Sequence, residues 1–467
     1  MKKFYRILIC LLLCVFSINF VACGDERSPE EKAFTYPSSA DSITGNGGLA
    51  VQKGNYLYYV NGYKSILGTD RTQDDVYTHG SLMLMKLNSD GSVVTDENGL
   101  LKDDYYITMS NRLCGFEATS LYIAGDYLYF TAASVENTED VVDPAWAKEF
   151  VEFYRIKLDK TSEPERIYQA GVKYSTDSAV DFEYYSSGDN VFILIYEPGK
   201  NIVDQAKFED EKIEEDEVKE NALIRVTGNG DVNLVANNVD DYILSDNSNE
   251  IFYKTTDDAD HILTKYDVVS NASSNYVTKN STFTVDFVSQ GNVYITQDGA
   301  LYASNIATNS AFTCVSYSLG DKVSYVVDNG VVMLIRDNEF NFLNENLAII
   351  ETIKDNDVTS INVIGCVNGC VVYYADDNKT IKSFSYGAES RNQVNAIKAL
   401  ATVEGLDTSY FDLQEDYVYF YKTAEGKSNK YLHRVKIANN FGETAEMVGV
   451  YLEEDAPEIE EDEIIEE

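Results

Sequence analysis

The 467-residue chain has little of several things that common functions require. It contains three histidines and one tryptophan, and its 37 lysines and arginines are outnumbered by 78 acidic residues, for a formal net charge of −41. A nucleic-acid partner needs the opposite charge balance, so we expect none. With so few histidines, no transition-metal centre is expected, and no cofactor. The acidic composition favours a protein that its own charge keeps soluble.

The chain has one long apolar run, and that run lies at its N-terminus. Lys2, Lys3 and Arg6 precede an apolar stretch over residues 7–20. A stretch of this length is too short to span a bilayer, for which roughly 20 residues are needed. It is typical of a secretory signal. The stretch ends in "FVAC", which resembles the lipobox of bacterial lipoproteins, where small residues precede a cysteine that is acylated, here Cys23.

The two ends of the chain are therefore predicted to lie outside the folded domain. Residues 1–22 are predicted to be a lipoprotein signal peptide, and Cys23 to carry fatty chains such as palmitate that anchor the protein to the outer side of a cell membrane. The alternative is an ordinary signal peptide cut near Ala22. Residues 23–44 are polar and predicted to be a flexible tether. Residues 453–467 carry ten carboxylates and no cation, and are predicted to be a disordered acidic tail.

Between these ends, over residues 45–452, one phrase recurs. A turn of Gly, Asp or Asn leads into a strand of aromatic and β-branched residues, as in "QKGNYLYYVN", "IAGDYLYFTA" and "LQEDYVYFYK". One short strand precedes the phrase and two follow it, which gives four antiparallel strands per unit. The repeated strands are centred near Leu57, Leu128, Val191, Ile251, Val293, Val331, Val371 and Val418. The later spacings match the roughly 40 to 50 residues of a propeller blade.

The composition of the repeated strands indicates how they pack. In "YLYF", residues 127–130, both alternating faces are apolar or aromatic, so neither face is suited to water. A blade between two neighbouring blades has that environment. We predict an all-β fold, a β-propeller of eight four-stranded antiparallel blades. Seven blades are the alternative, because the sixth unit, "NEFNFLNENLAII", is the least regular. The first three units carry insertions at 61–80, 134–152 and 197–220.

The first unit also carries a resemblance to a known family. Residues 46–62, "NGGLAVQKGNYLYYVNG", followed by 82–92, "LMLMKLNSDGS", resemble bacterial surface lipoproteins with a propeller-like domain of unknown function. That domain is related in pattern to the propeller of the low-density-lipoprotein receptor. The resemblance implies a fold and a surface location, and no catalytic residues. The receptor phrase "YWTD" is absent, so ligand binding in the manner of the receptor is not implied.

Three stretches carry residue types that take part in chemistry. "GNGGLA", Gly45–Ala50, satisfies a dinucleotide-binding pattern, but a strand and not a helix follows it, so we interpret its glycines as the entry to the first blade. Thr255–His261 gathers three aspartates and a histidine in a hairpin, interpreted as a solvated turn with a weak cation site as the alternative. Asp143 and Pro144 predict the start of a short helix. Trp146 on it is a candidate for stacking on a sugar, with packing against the second blade as the favoured alternative.

The cysteines add one further hypothesis. Cys366 and Cys370 flank "VNG", a predicted hairpin turn, and form a candidate disulfide in an oxidising exterior. Unbonded thiols are the alternative. Cys114 and Cys314 are isolated in the sequence.

Together these features predict a membrane-anchored, extracytoplasmic lipoprotein that acts as a non-enzymatic binding or scaffold module, through a propeller face and the inserted loops. Its expected partners are the membrane and an unidentified protein or glycan, and we expect a monomer. One alternative is a surface hydrolase or lyase for a polymer such as a polysaccharide, since carboxylate pairs depend on spacing in three dimensions. Another is an outer-membrane assembly lipoprotein, whose Gly- and Trp-rich repeats one tryptophan does not supply.

The order of strands also predicts how the ring closes. Each unit contains its own four strands, so the first blade need not borrow one from the C-terminus. The first and last blades would then meet by side-chain packing, and this seam, which lacks a covalent loop, is expected to be the weakest interface. The candidate seam residues are Leu49, Tyr56, Tyr58, Tyr417, Tyr419 and Phe420.

Overall fold

The structure is a computed structural model, and it describes most of the chain between residues 36 and 449. Outside the described residues, in addition to both ends, lie 62–80, 95–103, 107–113, 116–119, 134–149, 160–161, 172–179, 202–218, 245–248, 290, 317–323, 329–330, 345–347, 368, 376–378, 387–396, 424–429 and 438–444. The signal peptide, Cys23, the helix predicted at Asp143, Trp146 and the acidic tail all lie outside the described residues. Within the described residues there is no helix long and apolar enough to cross a membrane.

The described residues form thirty-three strands, arranged as eight antiparallel sheets. In chain order, the strands of the first four sheets are β1 Ile43–Thr44, β2 Ala50–Lys53, β3 Tyr56–Asn61, β4 Ser81–Lys86, β5 Asp104–Tyr106; β6 Tyr122–Ala124, β7 Tyr127–Ala133, β8 Val151–Lys157, β9 Glu165–Gln169; β10 Asp181–Ser187, β11 Asn190–Asn201, β12 Lys219–Thr227, β13 Val232–Ala236; β14 Val239–Ile243, β15 Glu250–Asp257, β16 Asp260–Asp267 and β17 Ala272–Lys279. Those of the last four are β18 Thr284–Ser289, β19 Asn292–Gln297, β20 Ala300–Asn305, β21 Thr313–Ser316; β22 Ser324–Asp328, β23 Val331–Arg336, β24 Glu339–Leu343, β25 Ile349–Lys354; β26 Asn362–Val367, β27 Cys370–Ala375, β28 Thr380–Ser385, β29 Lys398–Thr402; β30 Leu406–Leu413, β31 Tyr417–Thr423, β32 Lys430–Lys436 and β33 Glu446–Val448.

These sheets are the blades of an eight-bladed β-propeller, which confirms the predicted fold. Within every sheet the strands pair in chain order. Each predicted repeat strand is the second of four consecutive strands, and in the first sheet the short strand β1 precedes these four as a fifth. The seven-bladed alternative is wrong, since the irregular sixth unit forms a complete blade, β22 to β25. The last blade consists of β30 to β33, so the first blade borrows no C-terminal strand.

The phrase recurs because it builds the same hairpin in successive blades. Its Gly lies between the first and second strands, and Gly125 and Gly188 adopt φ of +56° and +61° there. Glycine tolerates this left-handed conformation without the steric cost that a Cβ brings. The aromatic and β-branched residues that follow then form the second strand, which is covered on both sides by its neighbours within the blade.

The apolar side chains pack between blades, not within a single central core. The described buried residues form eight clusters, one at each interface between neighbouring blades, and one of the eight joins the eighth blade to the first. Alternating side chains of one strand therefore enter two different clusters. In β3, Tyr56 and Tyr58 face the second blade, whereas Leu57 and Tyr59 face the eighth.

This alternation corrects part of the predicted seam. Leu49 and Tyr419 lie in the cluster between the first and eighth blades, and Tyr417 packs against it, as predicted. Tyr56, Tyr58 and Phe420 were assigned to the seam wrongly. Phe420 faces the seventh blade, and Tyr421 takes the seam position. Both faces of each strand are apolar, so the residue pattern does not distinguish the seam face from the other.

Three blades are fastened to the next blade by the same arginine contact, which we call the arginine latch. Arg155, Arg225 and Arg434 occupy the third strands of the second, third and eighth blades. Each guanidinium lies over an aromatic ring of its own blade: Tyr127 at 4.7 Å, Phe192 at 4.3 Å and Tyr417 at 4.2 Å. Each also donates a hydrogen bond to a backbone carbonyl of the next blade: Gly228 at 2.7 Å, Val268 at 2.6 Å and Gly91 at 2.7 Å.

The seam has polar contacts in addition to its latch. The half-buried Asp412 carboxylate accepts a hydrogen bond from the Leu49 backbone N–H at 2.8 Å, and Gln414 Nε2 donates to the Ala50 carbonyl at 2.6 Å. A Cβ at Gly48 would collide with Asp412, so the close approach of these two blades requires glycine at that position. The glycines of "GNGGLA" thus bring the chain into the first blade, in agreement with our interpretation of that stretch.

The topology places the two kinds of connection on opposite faces of the ring. The three insertions connect β3 to β4, β7 to β8 and β11 to β12, so they leave the same face in three consecutive blades; we call it the insertion face. The turns between the first and second strands, and between the third and fourth, lie on the opposite face. Residues 62–80, 134–149 and 202–218 of these insertions lie outside the described residues, and the ends of the predicted insertions belong to the flanking strands.

The predicted tether extends slightly too far. In the structure β1 pairs antiparallel with β2, with Ile43 opposite Lys53 and Thr44 opposite Gln52. Tyr36 and Ile43 pack against the cluster between the first and second blades. The folded domain therefore begins before residue 45, and residues 36–44 lie against the ring.

Candidate functional site

A cavity of about 690 Å³ lies on the face opposite the insertions, where the first three blades meet. Its wall is built from turns. One side is the N-terminal segment around Asp41, another is the β6–β7 turn with Asp126, and a third is the β10–β11 turn with Asp189. The β12–β13 turn contributes Asn229 and Asp231. The volume falls within the range of about 300–1,000 Å³ that is usual for ligand pockets. We call it the three-blade cavity.

Lys53 is the most unusual residue of the three-blade cavity. It is the last residue of β2, and only 2% of it is exposed to solvent. It lines the cavity, yet among the residues that the structure describes none accepts a hydrogen bond from its ammonium or forms an ion pair with it. Lys53 Nζ is not one of the side-chain polar atoms that are both buried and unpartnered among the described residues, so the ammonium reaches the solvent of the cavity. An unpartnered cation that faces a cavity is a candidate for contact with a ligand.

Arg155, by contrast, is held firmly at the cavity wall. Its guanidinium donates to Glu165 at 2.8 Å, to the Gly228 carbonyl at 2.7 Å and to Asn229 Oδ1 at 2.9 Å. Burial lowers the pKa of Arg155, but the hydrogen bond and charge of Glu165 outweigh burial and raise it overall. Arg155 is therefore a fixed positive part of the wall.

Aromatic side chains line the inner part of the cavity. Tyr127 lies beneath Arg155, and Tyr129 and Phe192 also line the cavity. Burial raises the pKa of the Tyr129 phenol, although Arg155 opposes the rise, so Tyr129 is a neutral hydroxyl at physiological pH. A Cβ at Gly228 would lie 2.7 Å from Tyr129 Oη, so glycine at that position leaves room for the phenol.

The polar rim consists mainly of carboxylates and amides. Asp126, Asp189 and Asp231 are exposed there with Asn190 and Asn229. Carboxylate and amide side chains of this kind accept and donate hydrogen bonds to ligand hydroxyls.

The N-terminal segment is fixed against this site by its own hydrogen bonds. The Ser38 backbone N–H donates to Asp41 Oδ2 at 2.8 Å, and the Gly54 N–H donates to the Ser42 carbonyl at 2.9 Å. With the pairing of β1, these contacts make residues 38–43 a built wall of the cavity.

None of the described residues that the sequence analysis named as candidates lines the three-blade cavity. Cys23 and Trp146 lie outside the described residues, so acylation and sugar stacking stay predictions. Cys366 pairs with Val371 and Cys370 with Val367, which points the two thiols to opposite faces of the sheet. They enter the clusters on either side of the seventh blade. The candidate disulfide is therefore wrong, and the alternative of unbonded thiols holds.

The candidate cation site in Thr255–His261 does not assemble either. This stretch is the hairpin between β15 and β16, with Asp258 at φ +51°. His261 Nδ1 lies 2.9 Å from Thr256 Oγ1. Among the described residues, no group of three or more His, Cys, Asp or Glu side chains could hold a metal ion. The interpretation as a solvated turn is the one that the hairpin geometry supports.

Sequence reasoning missed Lys53 and Arg155, for two different reasons. Lys53 stands in "AVQKGNY" as an ordinary polar residue before a turn, and burial cannot be seen there. Arg155 belongs to a short sequence pattern that recurs in three blades. The latch arginines stand in "YRIKL", "IRVTG" and "HRVKI", so each is followed by Ile or Val at the same position of the third strand.

Fold and site together define the protein as an eight-bladed β-propeller with a polar cavity over three of its blades. No family model matches the chain, and no curated protein does. Among solved structures, a study of two prolyl endopeptidases matches at a TM-score of 0.44 and 10% identity, covering 88% of this chain and 60% of that one. This chain thus spans about 60% of the length of that endopeptidase structure.

Two further solved structures are similar to the chain. A eukaryotic initiation factor matches at a TM-score of 0.43 and 10% identity, with 89% of both chains covered. The propeller domain of the Trilobed protease from Pyrococcus furiosus, described as having an open velcro topology, matches at 0.39 and 10% identity, covering 70% of this chain and 95% of that one. At these values the activities named belong to those proteins alone.

Proposed function

We propose that the protein is a lipid-anchored, extracytoplasmic binding module that takes its ligand in the three-blade cavity. The observation that carries the proposal is Lys53, a residue only 2% exposed whose ammonium reaches a cavity of ligand size without a partner among the described residues. An unpartnered cation at a cavity is available to bind a negatively charged group of a ligand.

Two further observations support a binding role. The cavity wall comes from turns of three consecutive blades, a rigid support for a recognition site. The Arg155 guanidinium in the wall is held in place by Glu165, Gly228 and Asn229, as a recognition site requires. The polymer hydrolase or lyase is the alternative function, and turnover of a polymer by the purified protein would favour it.

The lipid anchor is proposed from the sequence. Because the N-terminal segment forms part of the cavity wall, the anchor would limit the distance between the cavity and the membrane. Twelve residues lie between Cys23 and Tyr36, where the described chain begins. Fully extended, they reach roughly 45 Å. A lipidated Cys23 would therefore hold the three-blade cavity within that distance of the membrane surface.

Cys23→Ala tests the anchor. We expect the variant to leave the membrane fraction or to accumulate as an unprocessed precursor, because no acyl chains can be attached. Detergent phase partition and the intact mass measure this. Unchanged membrane partition together with an unchanged mature mass would contradict lipidation.

Ser39→Trp tests the cavity. Ser39 is exposed and lines the cavity, so an indole there should fill part of it without disturbing the blades. The solubilised protein is used to capture ligands from envelope extract and on a glycan array, and we expect the variant to lose most of the capture. The matched control is Ser274→Trp on the exposed outer strand β17, which should capture as the wild type does. Equal capture by all three proteins would exclude this cavity as the site.

A further inference from the structure

The charge distribution in the three-blade cavity is uneven, and this unevenness restricts the ligand. The unpartnered cation is the ammonium of Lys53, a residue that is only 2% exposed and whose ammonium reaches the cavity. The carboxylates of Asp126, Asp189 and Asp231 are exposed at the rim. A ligand that satisfies this arrangement presents one negative group to the interior. The rest of it must be uncharged and polar, because several negative charges would be repelled at the rim.

The rim chemistry identifies the uncharged part. Carboxylates accept hydrogen bonds, and the Asn190 and Asn229 amides both donate and accept them. Hydroxyl groups, which donate and accept at one atom, match such a mixture best. Tyr127 and Phe192, which are half-buried in the same cavity, add apolar area for the C–H side of a sugar ring, on the parts of the rings that Arg155 and Arg225 do not cover.

The interior supports a carboxylate as the negative group. Arg155 already has Glu165, Gly228 and Asn229 as acceptors, so Lys53 is the cation that remains for the ligand. A single ammonium matches a single carboxylate, since both are compact and singly charged. A phosphate or sulfate ester usually draws on more donors than one ammonium supplies.

We propose that the three-blade cavity binds a sugar that carries one carboxylate, with Lys53 receiving the carboxylate and the Asp and Asn side chains of the rim receiving the hydroxyls. This inference rests on the proposed function, because it assigns a ligand class to the same cavity. Uronic acids and sialic acids share this chemistry.

The test is calorimetric titration of the full mature chain with four probes. These are 3′-sialyllactose, glucuronosyl-galactose and the methyl ester of each, which keeps the shape and removes the charge. We expect at least one acid to bind, with its ester about 10-fold to 100-fold weaker, the usual effect of losing a hydrogen bond between charged groups. The acid that binds identifies the source. Esters that bind as tightly as their acids would overturn the inference.

Lys53→Met assigns the effect to one side chain. Methionine has a similar length and no charge, so we expect binding of the acid to fall to the level of its ester, while the melting temperature stays the same. A structural role for Lys53 would instead lower the melting temperature. The matched control is Lys436→Met, an exposed lysine on the eighth blade, which should change neither quantity. Wild-type affinity in Lys53→Met would overturn the inference.

The two proposals fail in different ways. If Ser39→Trp abolishes capture of the natural ligand but neither acid binds, the ligand class is wrong and the cavity is right. If both acids bind Ser39→Trp as they bind the wild type, the cavity is wrong for both proposals.

Discussion

Arg434→Met is expected to lower the free energy of unfolding by about 3 kcal/mol, the upper end of the usual cost of losing hydrogen bonds to a charged group. Arg434 is fully buried, and its guanidinium joins Glu446 at 2.7 Å to the Gly91 carbonyl of the first blade at 2.7 Å. Methionine keeps much of the apolar stem, so the loss falls on the polar contacts. Equilibrium denaturation in urea measures this loss of unfolding free energy.

Arg225→Met is the matched control, because Arg225 makes the same latch between two blades that the chain joins covalently. Its hydrogen bonds go to the backbone carbonyls of Val268 and Val269. We expect a smaller loss of about 1.5 kcal/mol, since these hydrogen bonds include no ion pair. Hydrogen exchange should rise in β3 and β32 for Arg434→Met and not for Arg225→Met. Equal exchange in both variants would show that the latch at Gly91 does not hold the seam.

Asp412→Asn is expected to stabilise the protein at neutral pH by about 3 kcal/mol and to have almost no effect below about pH 4. Burial raises the pKa of Asp412 from 3.8 to about 6, although hydrogen bonds from Gln414, Leu49 and Ala50 oppose the rise. Because the folded-state pKa is above the unfolded one, this group's contribution to stability is fully present below pH 3.8. It is lost as the pH rises through 6. Asparagine resembles the protonated side chain at every pH.

The measurement must compare the variant with the wild type at each pH, because His433 acts in the opposite direction. Burial lowers the pKa of His433 from 6.5 to about 4, so its contribution is present above pH 6.5 and is lost as the pH falls through 4. Both proteins share His433, so its effect cancels in the difference. A difference that stays the same from pH 4 to pH 7 would contradict a half-buried, titrating Asp412.

The architecture was predictable because its signal is local and repeated. "AGDY" around Gly125 contains both the turn residue with positive φ and the start of the strand that follows it. Eight such signals at blade-like spacing determine the strand order and the number of blades. The sixth unit, the least regular in sequence, still forms its four strands because neighbouring blades pack against both of its faces.

The candidate site was less predictable, because it depends on contacts between residues far apart in the chain. Lys53 and Asp231 line one cavity although 178 positions separate them. Cys366 and Cys370 are close in sequence, yet the register of one hairpin places them on opposite faces. A shift of one position in register reverses the face of every side chain in a strand, and nothing local in "CVNGC" determines that register.

The sequence by itself determined the all-β class, eight units of four strands and their order, because turn chemistry and side-chain periodicity act over a few residues. Only the tertiary structure decided which face of each strand meets which neighbour, since both faces are apolar. It alone closed the ring, with Arg434 and Asp412 contacting the first blade more than 340 positions away. It alone buried Lys53, because burial depends on the blades that surround a residue and not on its neighbours in the chain.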